Sequence, residues 1–292
     1  MLGLGARFDD RVIGDPGRFA PAARVVHFDI DATAIGRTVQ PDLAVVADLA
    51  DSVPLLLELV GEARREGWWR QLRPWTRAAD PTPEPVAAVG PLGAGAAVRA
   101  IARRISRAGA LVASDVGRHQ MWLAQELPDL APGTHLTSGG LGTMGYALPA
   151  AIGAAVGRPD RPVWAVAGDG GFQMNLQELA TVVQESLPLR IAVIDNGYLG
   201  MVRQWQERFC GRRYSSVQLS GPDLVLLGKA YGIPTCLVDR AEQLDGALDL
   251  AVSADGPMLL WLEVRGEENV YPVVTPGASL DEMITLPERV VG

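Results

Sequence analysis

A chain of 292 residues with 48% hydrophobic and 21% charged content is ordinary globular material, enough for one large or two medium domains. Its formal net charge of -8 argues against nucleic acid as the main partner, yet leaves room for a small anion held by a few local donors. No apolar run is long enough to span a bilayer, the first residues lack a signal-peptide pattern, and the two cysteines, Cys210 and Cys236, have no motif spacing, which points to a reduced, cytoplasmic setting.

Taken in chain order, residues 1 to 7 (MLGLGAR) read as the end of a strand running into a loop. The chain is therefore expected to begin inside a domain whose earlier part is absent, either through a truncated reading of the gene or because the protein is split into two chains. Residues 24–30 and 43–47 are predicted strands ending near Asp29, Asp31 and Asp48, and residues 49–66 are a predicted amphipathic helix with Leu55, Leu56, Leu59 and Val60 near one face. Residues 67–94 change character. Trp68, Trp69 and Trp75 sit among arginines, followed by Pro81, Pro83, Pro85 and Pro91, and this stretch reads as a surface linker packed down by its tryptophans.

From residue 95 a regular series is predicted: helix 95–107, strand 110–114 ending at Asp115, helix 118–126, a small-residue helix 145–157, strand 162–167, helix 173–186 and strand 189–194. Helix 222–231, strand 234–238, helix 241–254 and strand 258–264 close it. Strands alternating with helices imply an α/β fold with a parallel sheet covered on both faces, and ligands then belong at the carboxyl ends of the strands. The expected organisation is a partial Rossmann-like domain over 1–66, the linker 67–94, a parallel-sheet domain over 95–270 and a tail over 271–292.

The most specific pattern lies between residues 163 and 196. An apolar run ends in Gly168-Asp169-Gly170, a helical stretch follows, and a second apolar run ends in Asp195-Asn196. From Gly171 to Ile194 there are 24 residues, enough for one helix and one strand, so Asn196 returns to the sheet edge that carries Asp169. Asp169, Asn196 and a following carbonyl offer oxygen ligands to a hard cation such as Mg²⁺, which normally completes its octahedron with phosphate groups and water. Gly168, Gly170 and Gly171 permit close backbone approach, and the next helix can direct N–H groups at an anion. GDG and NG are each common turns alone. Their joint occurrence at crossover spacing, each after an apolar strand, is much rarer and favours the metal reading.

GDG followed at this interval by an Asn-type pair resembles the thiamine-diphosphate signature, with Asp195 in place of the first Asn. Longer segments are similar to the acetolactate synthase catalytic subunit family: GARFDDRVIG (5–14), HFDID (27–31), VGRHQMW (116–122), LTSGGLGTMGYALPAAIGA (136–154), GDGGFQMNLQELAT (168–181), DNGYLGMVRQWQERF (195–209), GPDLVLLGKAYGI (221–233) and EENVYPVVTPGASLDEMI (267–284). The resemblance runs nearly end to end.

It implies thiamine diphosphate and Mg²⁺, with Asp169, Asn196 and the carbonyl of Tyr198 as metal ligands. Gly117, Arg118, His119, Gly142, Met144, Gly168, Gly170, Gly171, Asn196, Gly197 and Met201 are the implied cofactor contacts. The family has Gln where this chain has Arg118, so that position's role is not carried over. Met144 would wedge the cofactor into a bent shape, which lets its pyrimidine amine reach the thiazolium carbon it deprotonates. A flavin site is implied at Asp10, Arg11, Asp29, Ile30, Asp48, Gly139 and Gly140, with FAD held without net redox chemistry. Arg11 and Trp205 are the implied substrate contacts. The bland alternatives are a core methionine, a core tryptophan, a capping histidine and turn-forming aspartates.

The implied reaction joins two 2-ketoacids, pyruvate with pyruvate or 2-ketobutyrate, with loss of CO₂. Homo-oligomers and a regulatory subunit are further implications. The family's activating glutamate lies on an N-terminal domain with no counterpart in these residues, so no catalytic residue is assigned here and the isolated chain is expected to be inactive. Three other readings stand beside this one. Gly140 to Gly145 form a literal GxGxxG, which imitates a nicotinamide site, although THLTS before it is short and polar for a buried strand. A non-catalytic cofactor-binding module is the second. Another thiamine-diphosphate carboligase or oxidase is the third.

Overall fold

The computed structural model describes residues 1–60, 64–78, 89–127 and 130–285, apart from the side chains of Arg11 and of residues 75–78. The chain divides into two compact units, Met1–Thr82 with Tyr271–Gly292, and Pro83–Val270.

The first unit carries β1 (Leu2–Leu4), α1 (Asp10–Ile13), β2 (Val26–Asp29), β3 (Leu43–Val46), α2 (Leu49–Leu59) and α3 (Glu66–Ala78). Its three strands form a parallel sheet in the order β1-β2-β3. Asp48 caps α2 by accepting from the Ala50 N–H at 2.8 Å, which explains why the helix starts where it does. The apolar face expected on this helix is not covered: Leu55, Leu59 and Val60 are 60%, 82% and 59% exposed.

Two expectations change in this unit. The stretch read as a linker contains α3, because Trp68, Trp69, Leu72 and Trp75 recur at helical rather than irregular spacing. Trp68 and Trp69 remain more than half exposed, so they do not pack it down, while Trp75 and the prolines at 81, 83 and 85 lie outside the described side chains. The segment from 271, expected only as a C-terminal tail, groups with the first unit. There Ala278 accepts from the Asp15 N–H at 2.9 Å, and Arg18 pairs with Asp281 and Glu282.

The second unit carries α4 (Ala94–Ala108), β4 (Leu111–Ser114), α5 (Arg118–Glu126), β5 (His135–Thr137), α6 (Ala147–Gly157), β6 (Val163–Gly168), α7 (Asp169–Asn175), α8 (Leu179–Gln184), β7 (Leu189–Asp195), α9 (Gly200–Phe209), α10 (Leu224–Tyr231), β8 (Thr235–Val238), α11 (Leu244–Ser253) and β9 (Met258–Glu263). The six strands are parallel, in the order β5-β4-β6-β7-β9-β8. Alternate strand residues face opposite sides. Val112, Trp164, Val166, Ala192 and Leu260 pack with α4, α5 and α11, whereas Ala113, Ala165, Ile191, Val193 and Leu259 pack with α6, α8 and α10. Both faces are dry, which is why these strands read as unbroken apolar runs rather than as alternating ones. Each buried Leu, Ile or Val contributes about 1.5–3 kcal/mol, so this double core dominates the stability of the unit.

The order of strands places the site. After β4 the chain goes to β5 on one side and then to β6 on the other. Such a reversal opens a crevice at the carboxyl ends of the strands where neighbouring loops diverge.

Candidate functional site

Three loops meet at that crevice. From the end of β4 come Gly117, Arg118 and His119; from β6, Gly168 to Gly171; from β7, Asn196 and Tyr198. Gly142 and Met144 line it from the loop before α6, and Leu199 to Val202 from the start of α9. Most residues expected to contact a cofactor therefore border one cleft. Gly197 supplies the left-handed turn, at φ 67°, that carries the chain past Asn196.

Asp169 opens α7 and is 8% exposed. Burial raises its carboxyl to about 7, and the nearby Asp195 carboxylate adds to the rise. The charged form of that carboxylate is disfavoured there, and a divalent cation would favour it. Asn196 Oδ1 accepts from the Tyr198 N–H at 3.0 Å, which folds the loop while leaving that oxygen a second lone pair. Asp195 is differently engaged: Oδ1 accepts from the Gly197 N–H at 3.0 Å and Oδ2 from Trp261 Nε1 at 2.8 Å. Among the described residues no cluster of three or more His, Cys, Asp or Glu could hold a metal ion. A cation here would rest on one carboxylate, one amide, a main-chain carbonyl and oxygens from outside the protein.

His119 is 6% exposed, and its Nε2 is buried without a partner. Burial lowers it to about 4, partly offset by Asp115, so the ring is neutral at pH 7. A buried ring nitrogen with no partner is costly unless a ligand completes it. Arg118 is also buried, and its Nε is likewise unpartnered. Burial and then Arg203 lower its guanidinium to about 10, which leaves it charged at neutral pH. The cleft thus offers a carboxylate and an amide for a cation beside two buried, unpartnered nitrogens, Arg118 Nε and His119 Nε2. That set of groups fits a metal-bound diphosphate.

One residue that organises the cleft, named in the sequence only as the end of a strand, is Asp115. Asp115, at the end of β4, accepts from the N–H groups of Val116 (2.8 Å), Gly145 (3.0 Å) and Ala147 (3.0 Å). It ties the Gly142–Gly145 loop and the first turn of α6 to the central sheet. Gly171 passes so near that a Cβ would stand 2.5 Å from Asp115 Oδ1, so the third glycine of the motif is there for room. An acid directly after a buried strand, like Asp169, was the available signal.

Other expected positions lie elsewhere. Trp205 is half-buried on α9, 5.2 Å from Phe209 between ring centroids, and does not line the cleft. Gly139 and Gly140 are exposed in the second unit. Asp10, Asp29, Ile30 and Asp48 belong to the first unit, Asp48 as the α2 cap and Asp29 as acceptor of the Asp31 N–H. The side chain of Arg11 is outside the described residues. A wider hollow of about 510 Å³ in the first unit, between residues 17–21 and 279–281, has its Arg18 already paired with Asp281 and Glu282. That hollow lacks unpartnered buried nitrogens of the kind that the cleft offers.

The family described as thiamine pyrophosphate enzyme, C-terminal TPP binding domain, matches residues 115–262, the stretch that builds the cleft. The chain belongs to the thiamine pyrophosphate enzymes. The central domain of the same family matches residues 1–56. Among similar proteins, the acetolactate synthase isozyme 2 large subunit of Escherichia coli K12 is 42% identical over 97% of this chain and 51% of its own length. The acetolactate synthase large subunit of Parasynechococcus marenigrum is 41% identical over 99% of the chain and 47% of its own. The acetolactate synthase of Mycobacterium avium is 39% identical over 97% and 47%. The chain therefore spans about half the length of the curated relatives it matches.

This family assignment removes the nicotinamide reading. The strand before the GxGxxG is β5, three half-buried residues at the sheet edge rather than a buried first strand.

Proposed function

We propose that this chain forms the cation- and diphosphate-holding wall of an acetolactate synthase active site, which condenses two 2-ketoacids, pyruvate with pyruvate or 2-ketobutyrate, with loss of CO₂. The observation that carries the reading is the cleft where Asp169 and Asn196 stand at neighbouring strand ends beside the unpartnered buried Nε2 of His119. The names of the relatives support the choice of substrates.

Thiamine diphosphate, when bound, supplies an acidic thiazolium carbon and an electron sink for decarboxylating a 2-ketoacid. The residues of this chain do the rest of the holding. Asp169, Asn196 and the Tyr198 carbonyl would take Mg²⁺, and His119 would meet a phosphate oxygen through Nε2 once that nitrogen carries a proton, which a neighbouring anion favours. Met144 and the Gly142 carbonyl orient the far end. Ile194, Leu199 and Val202 line the cleft with apolar surface that excludes water.

The cleft encloses about 190 Å³, less than the roughly 300–1,000 Å³ usual for a site that buries a whole cofactor. It holds the anionic end, and a second wall from another subunit completes it, which favours a homo-oligomer. The first unit, with Asp10, Arg11, Asp29, Ile30 and Asp48, is assigned to FAD. The "large subunit" in the relatives' names favours a smaller regulatory partner. The setting is cytoplasmic; no helix among the described residues is long and apolar enough to cross a membrane.

The test is calorimetric titration of the purified chain with thiamine diphosphate, with Mg²⁺ or with EDTA, and with NAD as a control. Saturable binding that needs Mg²⁺ is expected, weakened about 100-fold or more in Asp169→Ala. Binding of NAD, or of thiamine diphosphate equally well in EDTA, would overturn the reading.

A further inference from the structure

Behind the cleft, residues 266–270, which follow β9, are tied to three helices by partners 64 to 174 residues away. Arg118 of α5 donates from Nη1 to the Glu268 carbonyl and from Nη2 to the Gly266 carbonyl at 3.1 Å. The Glu268 carboxylate accepts from the N–H groups of Ala94 (2.6 Å) and Gly95 (3.2 Å) at the start of α4. On α9, Arg203 pairs with Glu267 at 2.7 Å and lies over the rings of Tyr198 and Tyr214. Gln204, also on α9, closes a two-way amide pair with the Val270 main chain at 3.1 and 3.0 Å. Gly266 is closely packed: a Cβ would stand 3.0 Å from the Tyr198 ring and 3.2 Å from the Asn196 carbonyl oxygen, so those neighbours would have to give by a few tenths of an ångström.

A guanidinium is a planar fork, and two carbonyls that engage both of its arms make a rigid crosslink. The remaining Nε of Arg118 is packed against Gly200, where any side chain would overlap the guanidinium. We infer that Arg118 is a positioning residue whose fork crosslinks α5 to residues 266–268, and so sets where the Asn196–Tyr198 loop and the first turn of α9 stand. His119, next to it, is then the side chain left to meet an anion in the cleft, through Nε2. Charge alone does not replace the fork, because an ammonium group cannot span both carbonyls in one plane.

This deepens the cofactor reading, and hydrogen exchange without ligand separates the two. Exchange is followed by mass spectrometry on the full chain, Arg118→Lys and Arg118→Gln, and each is then titrated with thiamine diphosphate and Mg²⁺. Both variants are expected to exchange roughly tenfold faster at 196–203 and 264–270, and their cofactor affinities to fall together, within about threefold of each other. Unchanged protection in both would overturn the crosslink. So would wild-type affinity in Arg118→Lys beside a loss of about tenfold in Arg118→Gln, since that pattern marks a charge contact. Should neither variant fold, Gly266→Ala strains the same junction from the other side; faster exchange at 196–200 supports the crosslink and unchanged exchange there overturns it. Failure of the wild-type chain to bind thiamine diphosphate counts against the cofactor reading alone.

Discussion

His119 and Asp169 border one cleft and are displaced from their ordinary titration in opposite senses. Burial takes the imidazole of His119 from 6.5 down to about 4. Its neutral form therefore stabilises the fold in full above about 6.5, and that contribution is lost as pH falls from there toward 4. Asp169 is raised from 3.8 to about 7, so its contribution is full below 3.8 and is lost as pH rises toward 7. A comparison of the wild type with His119→Gln, both keeping Asp169, isolates the histidine. The stability difference read from urea unfolding is expected to shrink on going from pH 7.5 to pH 4.5; a constant difference would show that His119 does not titrate. At this scale the sequence was legible where the chemistry is local. Asp169 and Asn196 follow apolar runs and could be named. Arg118 could be placed in the cleft but not read, because its acceptors at 266 and 268 lie about 150 residues away.

At the scale of elements, Asp115 shows how one side chain joins a strand to a loop and a helix. Its carboxylate collects three N–H donors from the turn after β4 and from the approach to α6. Asp115→Asn keeps the shape but turns an amide N–H₂ toward donors that need an acceptor. A loss of about 2 kcal/mol is expected, or roughly 4–8 °C in the melting midpoint for a unit of this size, with weaker binding of thiamine diphosphate. Thermal unfolding with and without cofactor measures both, and an unchanged midpoint would refute the role. The strands of the second unit were legible because β6, β7 and β9 are buried on both faces and show as apolar runs. The helix 173–186 was read as one piece, whereas the chain breaks it into α7, a 3₁₀ turn at Leu176–Glu178, and α8. No local signal marks that break. Helix α3 was missed because tryptophan, arginine and proline together suggested a linker, although the apolar spacing was helical.

At the scale of the molecule, the cleft has a single carboxylate in its lining, Asp169, and that group is assigned to the cation. No second carboxylate lines it to exchange a proton as a glutamate would, and the His119 imidazole is held neutral at pH 7. The 292-residue polypeptide is therefore expected to bind thiamine diphosphate with Mg²⁺ and yet form no acetolactate from pyruvate. Colorimetric assay of the product checks this, and sustained synthesis by the purified chain alone would overturn it. The α/β architecture follows from the alternation of apolar runs and helices, whereas the switch in strand order rests on long-range pairing. The grouping of residues 271–292 with the first unit likewise rests on contacts such as Arg18 with Asp281 across 263 residues.

The indole of Trp261 is bonded to Asp195, the neighbour of Asn196. A fluorophore is thereby wired to the loop that would receive the cation. Filling the site shifts the charge beside that ring, so the protein carries its own optical gauge of occupancy. Titration with Mg²⁺ and thiamine diphosphate is expected to change the tryptophan emission, and Trp261→Phe to abolish most of that change while saturable binding persists by calorimetry.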